Sequence, residues 1–423
     1  MRGAPPVLAA GIVALEFAAA VTGFVASTLL PVVADDLDAR GRLGLLIAGS
    51  TLGLFVALPL ASRVVGRLGP RRTLAAGMLA YLGGLALAAS ARAAWVFALG
   101  QFTSGLAGGL LAVFGISSAI RHLDERLRIR VVAASSAMWI VPALIGPAAT
   151  LGLEHLVGWH WTLLVPVPFV LFGRLLVVRA VRDDPAVEAA PRPLGRTLSV
   201  PLGAACVVLS AGWWPLAIAG AALTVAGTVA ILPAGTARLR RGTPAALGAM
   251  VLFAAGYFGA DSLITVLLTS GFRMSLGQAA VVLSAAPLGW AVTSLLVTRS
   301  ASAFPVAGLS LTALGTAVPA VELATGGSFG VVLGAWTAAG IGVGLAYPSL
   351  YIRATTAGSS GFTATELATA VITAECVGQL LGRAVGGTLS SAGTTGGLVA
   401  SYVLFALALI ATAGAASRTS TAG

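Results

Sequence analysis

Three polar side chains recur every four residues in ITAECVGQLLGRAVGG, the run from Ile372 to Gly387: Glu375, Gln379 and Arg383. Steps of four put all three on one face of a helix. The residues around them are apolar, so a carboxylate and a guanidinium stand inside a membrane-like segment. An ionisable group there is costly unless it is paired or wet. Two chemistries fit. Glu375 takes up a proton when Arg383 pairs elsewhere, or Arg383 is a fixed partner that holds helices together. Gly378, Gly382 and Gly386 form a second stripe one residue to the side, about 100° around the helix. Small residues at this spacing let membrane helices approach closely, and Gly340 and Gly344 repeat it.

Further ionisable groups fall in apolar runs. Asp261 lies at a depth close to that of Arg383, which makes an Asp261–Arg383 ion pair the expectation. Glu16, at a depth comparable to Glu375, is either a coupling acid or a cap on a neighbouring helix. Asp261, Glu375, Arg383 and Glu16 are therefore the proton-coupling candidates. Glu322 and Glu366 fall at predicted helix ends. Phe17, Gln101, Trp139, Tyr257, Tyr347 and Gln379 are the candidate substrate contacts. Apolar walls with a few polar groups suit an amphipathic or cationic organic compound, although aromatic residues in membrane helices also simply pack. Trp159, Trp161, Trp213 and Trp214 read as anchors at the membrane interfaces. There is no phosphate-binding loop, no metal-spaced His or Cys cluster and no Ser-His-Asp order. No metal, no cofactor and no enzymatic activity are expected. Cys206 and Cys376 read as small buried residues.

The elements that must position these groups follow from composition. The chain has 423 residues, 58% hydrophobic and 9% charged, against about 25% charged in soluble domains. It reads as an all-α polytopic membrane protein. The first apolar run continues to Pro31 and contains Glu16, so it is a span rather than a cleaved leader. A span needs about 20 apolar residues. That criterion predicts spans near 7–32, 43–65, 73–91, 94–120, 131–153, 160–179, 197–212, 214–234, 244–270, 276–298, 303–322, 328–352, 364–390 and 395–416. The pair at 197–234 is short and softly divided, so a count of 12 with a peripheral hairpin is the alternative to 14. Three regions result: a six-helix bundle over 1–180, a linker with two accessory helices over 181–243, and a second six-helix bundle over 244–423. All 25 basic residues are arginine and the net charge is +11. The arginines lie between apolar runs, which argues against nucleic acid and for topological charges. Only Arg40, Arg42, Arg92 and Arg273 fall on the outer side and Arg383 in the membrane. The rest, Arg174 included, are assigned to the cytoplasmic side with both termini. A monomer in the inner membrane is expected.

The predicted loop SRVVGRLGPRRTL (62–74) resembles the signature loop of the major facilitator superfamily through Arg67, Gly69, Arg71 and Leu74, with Arg72 supplying a displaced charge. Further stretches resemble its drug/proton antiporter branch: LLPVVADDL (29–37), IGPAATLG (145–152), GWHWTLLVPVP (158–168) and TSGFRMSLGQAAVVLSAAPLG (269–289). The extra pair at 197–234 is similar to that of its fourteen-helix subgroup. The resemblance implies two six-helix bundles around a central cavity, with proton-driven export by alternating access. It also implies that Arg67, Gly69, Arg71 and Arg72, and the bend at Pro142, Gly146 and Pro147, serve the conformational change. Four positions that carry charge in the family pattern are neutral or nearly so: Gly66, Thr22, Gln101 and His160. This puts the usual proton-coupling layout in question. A uniporter or exporter of a lipid-like compound is the first alternative, and a ligand-binding sensor without transport is the second.

Overall fold

The computed structural model describes residues 4–39, 43–180, 198–210, 213–297, 305–356, 362–390 and 395–419. Among them no strand occurs. Hydrocarbon offers no hydrogen-bond partner to a backbone, so a spanning segment must satisfy its own amides as a helix. Eight of the described helices are long and apolar enough to cross a membrane, or up to ten if each of two bent pairs is one span. The chain divides into two compact units. One holds 1–211, 222–227 and 362–369; the other holds 212–221, 228–361 and 370–423.

In the first unit α1 (Ala4–Asp36) is followed by α2 (Leu43–Ala89) and α3 (Ala94–His122). Two predicted spans and the signature segment between them lie within α2. Residues read as a loop are helical: Arg63–Gly69 leaves Gly49–Ala61 at 62°. The turn itself sits at Gly69, whose φ of 73° is open to glycine and disfavoured for other residues. Arg67 and Arg72 are exposed beside it, while the Arg71 side chain lies outside the described residues. Glycines bring α2 and α3 to backbone distance. A Cβ added at Gly105 would stand 2.1 Å from the Ser50 carbonyl oxygen, and one at Gly53 would stand 2.1 Å from that of Phe102.

The predicted fifth span is two helices, α4 (Glu125–Ala137) and α5 (Ile140–Thr162). Pro142 has no N–H to give the Met138 carbonyl four residues back, and the break falls at Met138–Trp139. Gly146 packs against Phe24 of α1, and the Pro147 side chain lies outside the described residues. A second break at Gly158, φ 78°, precedes a 60° bend into α6 (Val167–Ala180). Trp159 is not an interface anchor. It is buried, and its indole N–H donates to Asp36 Oδ2 at 3.0 Å, tying α5 to the end of α1. Trp161, Trp213 and Trp214 are exposed, as belt residues are. The short α7 (Ser199–Leu209) and α8 (Trp214–Ile231) follow; Gly227 of α8 meets Ser199 and Val200 of α7.

The second unit contains α9 (Thr243–Val266), α10 (Leu276–Leu296), α11 (Pro305–Thr325), α12 (Phe329–Ala354), most of α13 (Ala364–Ser390) and α14 (Thr395–Ala416). Their bounds lie close to the sequence-based ones because their ends carry caps. Ser275 and Gln278 form a capping box on α10. The Thr363 hydroxyl and Glu366 carboxylate do the same reciprocally at the start of α13. Glu322 accepts from the Ser328 amide at 3.2 Å just before α12. The glycine stripes pack as their spacing requires. Gly378 and Gly382 of α13 lie on Val251 and Ala255 of α9, and Gly340 of α12 lies on Ala286 of α10.

A Cβ at Gly340 would stand 2.1 Å from the Ala286 carbonyl oxygen, whereas Gly334 of the same helix has nothing within 4 Å. Overpacking costs about 1–3 kcal/mol, while glycine to alanine in an open helix gains up to about 1 kcal/mol. Gly340→Ala should therefore lower the thermal midpoint of the detergent-purified chain, and Gly334→Ala should hold or raise it. Equal midpoints would refute the packing assignment.

Candidate functional site

In the second unit, the glycine stripe of α13 is pressed on α9, so the neighbouring stripe of Glu375, Gln379 and Arg383 is turned aside from that contact. Phe253, Tyr257 and Asp261 step by four along α9. Trp336 and Tyr347 come from α12 and Trp290 from α10. These side chains form one aromatic cluster. Tyr257 stacks on Phe253 at 5.7 Å and on Trp336 at 5.9 Å; Trp290 meets Tyr257 edge-on at 5.9 Å and Tyr347 at 5.3 Å. The Tyr347 hydroxyl donates to Glu375 Oε1. The carboxylate is thus held at the edge of an aromatic surface by a phenol. The buried indole N–H groups of Trp290 and Trp336 have no acceptor among the described residues. Unspent buried donors cost about 1–3 kcal/mol each and call for an explanation such as a ligand or water.

Asp261 and Arg383 do not form the expected ion pair. No contact within 4.0 Å joins them among the described residues, although the Arg383 charge is felt at the Asp261 carboxyl. Arg383 is exposed, while Asp261 is only partly so, one turn beyond buried Tyr257. Gln379 is partly buried on the same face of α13.

The first unit holds a separate set. Trp139 lies beside the Glu16 carboxyl. Trp139 stands at the α4–α5 break, so the acid stands at the interruption that Pro142 creates. Gln101 is buried, and its Oε1 accepts from Ser104 Oγ at 3.5 Å. Phe17 meets Phe169 edge-on at 5.3 Å. Thr22, at the family's acid position, shares a 3.4 Å hydrogen bond with the Tyr81 hydroxyl. Arg174, counted with the cytoplasmic arginines, is buried in α6, with Nη1 3.5 Å from the Leu111 carbonyl oxygen and Nε without a partner among the described residues. Its charge is felt at Tyr81. The signal was present in the sequence, because Arg174 falls inside the predicted span 160–179.

The family model described as Major Facilitator Superfamily matches residues 12–382. The chain belongs to this superfamily. A probable multidrug-efflux transporter of Mycobacterium tuberculosis is 30% identical over 213 residues, which is 50% of this chain and 42% of that protein. The multidrug efflux pump SdrM of Staphylococcus aureus is 21% identical over 169 residues, 40% of this chain and 37% of the pump. The match therefore spans less than half the length of these curated relatives. Among solved structures, the fucose:proton symporter of Escherichia coli aligns over 99% of this chain and 100% of its own, with TM-score 0.69 and 17% identity. The human organic anion transporter TETRAN aligns over 98% and 99%, with TM-score 0.67 and 16% identity. These likenesses establish the major facilitator fold.

The superfamily's signature segment gains a physical account from Gly69, whose backbone makes the turn that the flanking arginines surround. The Tyr347 to Glu375 bond ties α12 to α13. Leaving one buried partner unsatisfied costs about 1–3 kcal/mol. Tyr347→Phe and Glu375→Leu should each lower the thermal midpoint, and the double variant should fall by less than the sum of the two. Additive losses would mean that the two side chains do not act together.

Proposed function

We propose that this chain exports small amphipathic, cationic organic compounds in exchange for protons, by alternating access. The observation that carries the reading is the aromatic cluster of Tyr257, Trp290, Trp336 and Tyr347 at the Glu375 carboxylate. Aromatic faces attract organic cations by about 0.5–2 kcal/mol, most where water is excluded. A carboxylate beside them adds the opposite charge. Deprotonated Glu375 holds the cation on the cytoplasmic side. A proton arriving from outside neutralises Glu375, and the cation leaves. Asp261 and Arg383 serve as the neighbouring carboxyl and counter-charge within Coulombic reach. Glu16, beside Trp139, is a second proton site.

The relatives named as multidrug efflux proteins support export as the direction. Gly69, Arg67, Arg71 and Arg72 on one side of the first unit, and the α4–α5 break at Pro142, are the elements on which the rocking of the two bundles depends. The protein acts as a monomer in the inner membrane, with both termini cytoplasmic, as the arginine asymmetry argues. The second reading, a uniporter, is favoured by one observation: Thr22 and Gln101 hold neutral hydrogen bonds where the family pattern carries charge.

Uptake of a fluorescent cationic dye into inverted vesicles separates the two readings. An imposed proton gradient should drive uptake by the wild type. Glu375→Gln should abolish the gradient-driven part, and Asp261→Asn should reduce it by about tenfold or more, the scale of one lost charge interaction. Uptake that ignores both gradient and substitution would make the buried charges structural.

A further inference from the structure

Within the first unit, α1, α4 and α6 enclose a cleft of about 550 Å³. Val13 and Phe17 of α1, Val131 of α4, and Phe169 and Phe172 of α6 form its apolar walls. Arg130, in the second turn of α4, is its one charged lining residue. The Arg130 guanidinium is exposed and makes no hydrogen bond or ion pair with any described residue. Arg126 and Arg128 lie within the same stretch of helix, so this part of α4 belongs to the arginine-rich rim of the membrane protein.

The chemistry of the cleft is opposite to that of the aromatic cluster in the second unit. Its walls offer no polar partner and its single charge is positive, so an organic cation is repelled. An amphiphile with an anion at one end and hydrocarbon behind it is complementary. Phe172 is 60% exposed and Phe169 40% exposed, so the wall on the α6 side is reached from outside the unit. In a membrane helix such apolar exposure faces acyl chains. A chain enters sideways from the leaflet without leaving hydrocarbon, and its headgroup stays at the level of the arginines.

We propose that this cleft binds one anionic phospholipid from the arginine-rich leaflet, with its phosphate on Arg130 and one acyl chain between α1, α4 and α6. The cleft shares no residue with the aromatic cluster at Glu375, it assigns Phe17 to lipid rather than to cargo, and it does not depend on the transport reading. Met138, at the break between α4 and α5, also lines the cleft. Occupancy therefore bears on the hinge that holds Trp139 and Glu16.

Native mass spectrometry of the full chain in detergent, titrated with dioleoyl phosphatidylglycerol or dioleoyl phosphatidylcholine, tests this directly. The wild type should retain one phosphatidylglycerol about five-fold better than phosphatidylcholine, as one arginine near a membrane surface provides. Arg130→Gln should bring retention of the two lipids level. Arg126→Gln, exposed on the same helix but outside the cleft, should keep the preference. Ala10→Trp, at an exposed lining position, should expel both lipids with the charge intact. Each substituted position is exposed, so the fold does not rest on it. Equal retention of the two lipids by wild type would overturn the proposal. So would loss of the preference in Arg126→Gln as full as in Arg130→Gln, or unchanged retention in Ala10→Trp.

Discussion

A polar group in the middle of a membrane helix must find its partner inside the protein, because hydrocarbon supplies none. That constraint orders both units. Glu375 is met by the Tyr347 hydroxyl, Glu16 by the Trp139 indole, and Arg174 by the Leu111 carbonyl. Each partner is remote in sequence from the charge. Such reach is possible only if helices lie at backbone distance, and that distance is set by glycine. Gly378 and Gly382 against α9, and Gly340 against α10, bring the Glu375 stripe, the α9 aromatics and the α10 tryptophan to one place.

The family pattern carries its charges at positions this chain leaves neutral. Thr22 bonds Tyr81, Gln101 accepts from Ser104, and His160 stacks on Trp159 at 3.8 Å. In the same unit Glu16 and Arg174 stand elsewhere, each with its own support. The first unit thus keeps ionisable groups within its helices, at positions other than those of the family pattern. In the second unit the carboxyls are bound up with aromatic faces, a combination suited to holding an organic cation and a proton in alternation.

The fold was legible because its signals are local. Apolar run lengths located the helices of the second unit, and the structure shows caps at starts such as Ser275 and Thr363. The glycine stripes foretold which faces of α12 and α13 pack. What stayed hidden depended on backbone detail or on contacts remote in sequence. Arg63–Gly69 is helical where basic residues and glycine suggested a loop, since only Gly69 needs a positive φ. The fifth span breaks ahead of Pro142, at the carbonyl left without its donor. Trp290 and Trp336 join Tyr257 from other helices, which no spacing in the chain reveals. Arg383 was readable as a membrane charge, but not that it is exposed.

Under the proposed function, cation and proton exclude each other at Glu375. Proton release on adding tetraphenylphosphonium to the purified chain, followed with an indicator dye in weak buffer, measures it without any membrane gradient. Release of a proton as each cation binds to the wild type, and binding without release in Glu375→Gln, is the predicted result. Cation binding to the wild type with no proton released, or release unchanged in Glu375→Gln, would contradict the claim that this carboxylate couples the two.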